Sequence, residues 1–243
     1  MPSRDQRTTR IVLVSGAGSG IGEALARRFA CEGDVVIGYG RNAARLKTLA
    51  NRISRSGGDF IPVQCDVRSE ASIRAAARKV ARLGKVDILV NNAGVTYFKD
   101  FISMTPKEFD HVMETNVRGM FLLTSAVLPS MLKMRRGLII NILSYAAKTV
   151  YTGSSVYAAS KSAGAAMMSV LREEVRDKNI KVVNVYPGAS VTPMWSVKAR
   201  SRFKHRMMRP EDVAEFIVAT AGMPVSMMVE EIAFRPQLGD LKI

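Results

Sequence analysis

Apolar and polar positions along the chain alternate between two kinds of segment. Short runs rich in Val and Ile read as seven strands: "RIVLVS" (10–15), "DVVIGY" (34–39), "DFIPVQ" (59–64), "VDILVN" (86–91), "GLIINIL" (137–143), "IKVVNVY" (180–186) and "VEEIAF" (229–234). Several are apolar at nearly every position, the pattern of strands covered on both faces of a parallel sheet. Between them lie helix-length segments at 20–33, 42–56, 69–83, 106–134, 154–178 and 210–222. This alternation predicts an α/β fold with a doubly wound, mostly seven-stranded parallel sheet and helices on both faces. Such sheets bind ligands beyond the carboxyl ends of their strands, so function is sought in those loops.

Composition narrows the picture. The 243 residues are 47% apolar, enough for a sizeable core, and contain no internal repeat, low-complexity block or Pro/Gly-rich linker. One domain spanning 1–243 is expected. Cys31 and Cys65 have neither metal-ligand nor disulfide spacing, and so few cysteines in a chain of this length suit a reduced, cytoplasmic protein. The basic opening residues 1–9 read as a frayed tail. The apolar run after them breaks at glycines after about five residues, short of the roughly 7–15 of a signal core. No stretch approaches the ~20 apolar residues of a membrane-spanning helix, so no membrane partner is expected.

The formal net charge is +15, from 36 Lys+Arg against 21 Asp+Glu. That balance would suit nucleic acid, an anionic surface or an acidic partner. Most of the charge is scattered along helical segments as solvated faces. Residues 197–209, "VKARSRFKHRMMR", differ in carrying six Lys/Arg and no acid.

The first strand runs directly into "SGAGSGIGEALARRF". Gly16, Gly20 and Gly22 there form G-x-x-x-G-x-G, not the commoner G-x-G-x-x-G. A glycine-rich strand-to-helix turn lets backbone N–H groups approach a pyrophosphate at a helix N-terminus. An NAD site usually has an acid about 20 residues further on for the ribose 2′-OH. Here the second strand ends "IGYGRN", with Arg41 and no acid. An arginine there suits a 2′-phosphate through charge-assisted hydrogen bonds, favouring NADP(H), although a surface arginine would look the same. In "SSVYAASKSAG" (154–164), Tyr157 and Lys161 stand four residues apart and project from one helix face. Such a pair also arises by accident.

In order along nearly the whole chain stand "SGAGSGIG" (15–22), "CDV" with Asp66, "NNAG" (91–94), "TNVRG" with Asn116, "NILS" with Ser144, "YAASK" (157–161) and "YPG" followed by Thr192. Together these resemble the single-domain short-chain dehydrogenase/reductase family. "LREEVRDKNIKVVNVYPGASVTPMW", "RPEDVAEFI" and "FRPQLGDL" look like members acting on small carbonyl compounds, 3-hydroxy acids or 3-oxoacyl groups. The resemblance implies a Rossmann-type sheet and hydride transfer between NADP(H) and a carbonyl or secondary alcohol. Tyr157 would be the general acid, and Lys161 would lower its pKa from the free phenol's ~10 and hold the nicotinamide ribose. Ser144 would polarise the carbonyl. Asn116 would hold a water linking Lys161 to solvent. The implied cofactor contacts are Gly16, Ser19, Gly20, Ile21 and Gly22 in the first turn and Arg41 and Asn42 after the second strand. Asp66 and Val67 would face the adenine, Asn92, Ala93 and Gly94 would pass under the cofactor, and Tyr157 and Lys161 would touch it. Pro187, Gly188, Ser190 and Thr192 would border the nicotinamide.

The sequence departs from the family at Ser15, where Thr is usual, and at Ser190, where a branched apolar residue is usual. Its C-terminal region lacks the Gly-rich ending of the 3-oxoacyl reductases. Ser154 and Ser155 read as helix caps. Residues 193–209 would form a substrate lid, with Met194, Trp195, Phe203, Met207 and Met208 lining an apolar pocket and the Lys/Arg residues drawing in an acidic substrate or carrier. A solvated lid face is the alternative. His111 and His205 lack ligand spacing, and no metal is expected. A homodimer or homotetramer is expected, as among close relatives. The rival function, a non-catalytic dinucleotide sensor or basic nucleic-acid-binding protein on the same fold, commonly loses the tyrosine or lysine, and both are present here. Nucleic acid is therefore not the expected partner.

Overall fold

The computed structural model describes residues 9–224 and 226–241, so the 1–9 tail lies, but for Thr9, outside the described residues. The seven expected strands form: β1 (Ile11–Ser15), β2 (Val35–Gly40), β3 (Asp59–Gln64), β4 (Ile88–Asn91), β5 (Gly137–Ile142), β6 (Ile180–Pro187) and β7 (Glu231–Phe234). They make one sheet in the order β3-β2-β1-β4-β5-β6-β7, and every pairing is parallel.

Side chains on successive strand residues point to opposite faces. Val12 and Val14 join one apolar layer, with α1 (Gly20–Cys31), α2 (Ala43–Arg55) and α8 (Pro210–Thr220). Leu13 joins the other, with α3 (Glu70–Ala81), α5 (Gly119–Met134) and α6 (Ser155–Val175). This two-sided cover explains why the strand sequences are apolar throughout. The order reverses beside β1, where neighbouring connections leave to opposite faces and open a crevice at the carboxyl edge.

The 106–134 segment, which reads as one helix, is helical throughout but changes its winding in the middle. It forms α4 (Pro106–Met113), a π turn at Glu114–Arg118, and α5. Apolar spacing carries no mark of this turn, because its cause is tertiary. Asn116 is drawn to the backbone of Val95 on both sides of its amide, and Gly119 lies so close to Val67 that a Cβ would sit 2.9 Å from Val67 Cγ2. Such turns recur at functional sites. Among the described residues, no helix is long and apolar enough to cross a membrane.

Candidate active site

The loops at the carboxyl edge enclose a cleft of about 1230 Å³. Every residue expected in the site lines it except Gly22 and Asn116. At the nucleotide end, Gly16 and Gly20 adopt φ of 67° and 58°, left-handed values that favour glycine. A Cβ on Gly22 would stand 2.3 Å from the Gly16 carbonyl oxygen. Gly22 therefore serves the cleft from behind, by letting α1 start against the turn. Ser15, the departure from Thr, keeps a working hydroxyl: it donates to Val90 O at 3.2 Å and accepts from the N–H groups of Asn92 and Ala93 at 2.9 and 3.1 Å. It thus ties the ends of β1 and β4 together.

Ser19 precedes α1, and Asn42 caps α2 by accepting from Arg45 N–H at 2.9 Å. Arg41 is exposed at the rim. Asp66 lines the cleft, but Arg68 holds its carboxylate at 2.7 Å and, through that hydrogen bond, below the usual carboxylate pKa range. Arg45 also lines this end, and neither it nor Arg41 is within ion-pair distance of a carboxylate among the described residues, although the charge of Arg41 helps to lower Asp66. The residues thus fit a phosphorylated dinucleotide: a glycine turn open to backbone approach, two uncommitted guanidiniums, and no acid after β2. Sequence reading found Arg41 but missed Arg45, whose only signal was its place one turn into α2.

At the other end, Tyr157 and Lys161 both lie buried on α6. Lys161 Nζ donates to Ile142 O at 2.8 Å and stands 5.8 Å from the centre of the Tyr157 ring. Burial sets the resting state of both groups before any cofactor or substrate is present. Burial pushes the phenol up, opposed by a hydrogen bond with Ser144, and burial pushes the Lys161 ammonium down to about 8. Desolvation outweighs pairing because both groups are buried while the ammonium is turned to a carbonyl. Ser144 lies two residues beyond β5, and its Oγ accepts from Ala146 N–H at 3.1 Å.

Asn116 is buried behind this end. Its Oδ1 accepts from Val95 N–H at 2.8 Å, and its Nδ2 donates to Val95 O and Ser160 Oγ, each at 2.9 Å. Ser160 Oγ in turn donates to Tyr157 O at 2.7 Å. Both N–H donors of the amide and one acceptor site of its oxygen are thus engaged on the scaffold of Tyr157. A ladder that sequence reading missed supports the same edge. Asn91, Asn141 and Asn184 sit in register across β4, β5 and β6, with side-chain bonds of 2.9 and 3.0 Å. Only strand pairing brings them together. Ser154 stands at the cap position of α6, yet its hydroxyl donates to Tyr151 O instead of capping, and Ser155 Oγ is buried without a partner.

The 193–209 segment contains a helix, α7 (Val197–Phe203). Its base is pinned where Met208 N–H donates to Ala189 O and Val191 N–H to Met208 O, at 3.0 and 2.9 Å. Ser190 is buried and donates to Gly188 O at 3.2 Å. Thr192 packs against the first turn, its Cγ2 being 3.0 Å from where a Gly20 Cβ would be. Of the expected apolar lining, only Met194 and Trp195 reach the cleft. The backbone pairing turns Met208 under toward the α1–α8 layer, and Phe203 and Met207 also stay outside the lining. None of the six lid cations lines the cleft either. Lys204 and Arg209 border a separate pocket of about 590 Å³ that also contains Glu23 and Glu211. Trp195 stacks on Phe98 with ring centres 5.1 Å apart, and Phe98 meets the Tyr157 ring edge-on at 6.2 Å. Phe98 had no signal in sequence. Among the described residues, no group of three or more His, Cys, Asp or Glu is placed to hold a metal.

The seven-stranded parallel sheet and its edge cleft define a Rossmann-type fold. Residues 10–202 match the family described as short chain dehydrogenase, and the chain belongs to that family. It is 35% identical over 240 residues to a sepiapterin reductase of Chlorobaculum tepidum, covering 96% of this chain and 98% of that one. An alcohol dehydrogenase of Thermococcus sibiricus, solved with 5-hydroxy-NADP, superposes with a TM-score of 0.88 at 26% identity, covering 97% of this chain and all of that one. An actinorhodin polyketide ketoreductase variant with NADPH superposes equally well, with a TM-score of 0.88 at 29% identity over 99% of this chain and 100% of that one.

Proposed function

We propose that the protein is an NADP(H)-dependent reductase of carbonyl groups borne on or beside a flat ring, able to oxidise the corresponding alcohol at the same site. The observation that carries this reading is one cleft with Ser144, Tyr157 and Lys161 at one end and the uncommitted Arg41 and Arg45 at the other. When bound, NADPH supplies the hydride. Tyr157 gives its phenolic proton to the carbonyl oxygen, and its raised pKa keeps that proton in place until the oxygen gains charge. Ser144 Oγ directs the oxygen. The Lys161 cation stabilises the phenolate left behind. Asn116 acts as a positioning residue through Val95 and Ser160. A spectrophotometric survey of NADPH oxidation with ketones and dicarbonyls tests the reading; failure of every carbonyl compound to be reduced would remove it.

The aromatic pair supports the ring in the substrate. Trp195 stacks on Phe98, which meets Tyr157 edge-on, and both rings line the cleft; the relative from Chlorobaculum tepidum is a sepiapterin reductase. An aromatic contact contributes about 0.5–1.5 kcal/mol, so Trp195→Ala is expected to raise KM for aryl ketones roughly three- to tenfold with kcat little changed. An equal KM for aryl and small aliphatic ketones in both proteins would deny the pair this role.

Because Lys161 titrates at about 8, its cation is present below that pH and lost above it. Reduction should therefore fall as pH rises through about 8 in a kcat/KM profile. A profile flat across that value takes Lys161 out of the proton path.

A further inference from the structure

The C-terminal residues beyond β7 return to the cleft, where Asp240 and Leu241 line its wall together with Tyr151, Phe98 and Trp195. Two arginines hold this segment. Arg206, at the end of the lid, donates from Nη2 to Leu238 O and Asp240 O, both at 3.3 Å. Arg235 Nη1 donates to Asp240 Oδ2 at 3.0 Å, with its guanidinium over the Tyr145 ring at 5.1 Å. The Asp240 carboxylate also interacts with the Tyr151 phenol.

Three charged side chains line this end: Lys99, Lys161 and Asp240. Lys99 lines the cleft but is bound to both oxygens of Glu108, at 2.8 and 2.9 Å. Lys161 is turned to Ile142 O. The six cations of 197–209 lie outside the lining. What this wall presents to the cleft is the Asp240 carboxylate; Arg235, half-exposed, and Arg206 hold it from outside the lining, so the wall is not the cationic mouth that the composition of the lid suggests.

We infer that Asp240 makes the substrate end of the cleft select against anionic carbonyl compounds, in favour of neutral or cationic ones. This rests on the reductase reading of the cleft and adds a substrate class to it. Like charges brought together in a partly desolvated site repel, and Asp240 has Arg235 as its near counter-charge. The two residues therefore act in opposite directions. Removing the carboxylate removes the repulsion at the cleft wall, whereas removing the guanidinium takes away the side-chain counter-charge of Asp240 and strengthens it.

The test compares an aryl methyl ketone with its para-carboxylate, by titration into the enzyme·NADP⁺ complex and by kcat/KM for NADPH oxidation. Wild type is expected to prefer the neutral ketone. Asp240→Asn should shrink that preference roughly three- to tenfold, and Arg235→Met should widen it by a similar factor. A wild-type preference for the carboxylate, an unchanged ratio in either variant, or a shift of both variants in the same direction overturns the inference; failure of both compounds to bind does so too. Discrimination in binding without turnover of either ketone would leave it standing and remove the reductase reading alone.

Discussion

Replacing Tyr157 with Phe is expected to lower carbonyl reduction roughly 10²–10⁴-fold, the range that positioned general acids contribute. The ring keeps its edge-on contact with Phe98 and its place on α6, so only the proton donor is lost. NADPH binding, followed by fluorescence titration, should stay within about a few-fold, because the nucleotide end of the cleft is built from other elements. Removing the buried hydroxyl also leaves Ser144 without one hydrogen-bond partner, so the loss should appear in kcat more than in KM. Turnover retained in the variant would take Tyr157 out of the acid role. Unchanged ligand binding with no catalysis in wild type would favour a dinucleotide sensor.

Substituting Arg41 with Asp is expected to invert cofactor preference by about 100-fold in the ratio of kcat/KM values for NADPH and NADH. The change removes a charge-assisted hydrogen bond to the 2′-phosphate and sets a carboxylate where a ribose hydroxyl could be bound. Arg45 lines the same end of the cleft, so some affinity for NADPH should survive. Arg41→Asp combined with Arg45→Ala should remove most of the remainder. A ratio that does not move in the single variant would transfer recognition of the phosphate to Arg45.

Local patterns carried much of this molecule. The glycines of the first turn were legible because a left-handed φ and close backbone approach admit almost no other residue. The strands were legible because burial on two faces leaves no polar alternation. Pairings distant in sequence were not. Phe98 gains meaning only when Trp195 stacks on it, Asn116 only when Val95 claims its amide, and Asp240 only when the C-terminal segment folds back over the cleft. The lid shows the limit most clearly. Its run of six cations is plain in sequence, but two backbone bonds at Met208 accompany a path that keeps them out of the cleft.

By itself, then, the sequence determined the sheet, the glycine turn after its first strand and the placing of Tyr157 and Lys161 on one helix face, since each follows from residue type and short-range spacing. Only the tertiary structure decided the burial of that pair, the aromatic stack beside it and which charged side chains reach the cleft. Those properties depend on burial and on contacts between residues far apart in the chain, which no local pattern encodes.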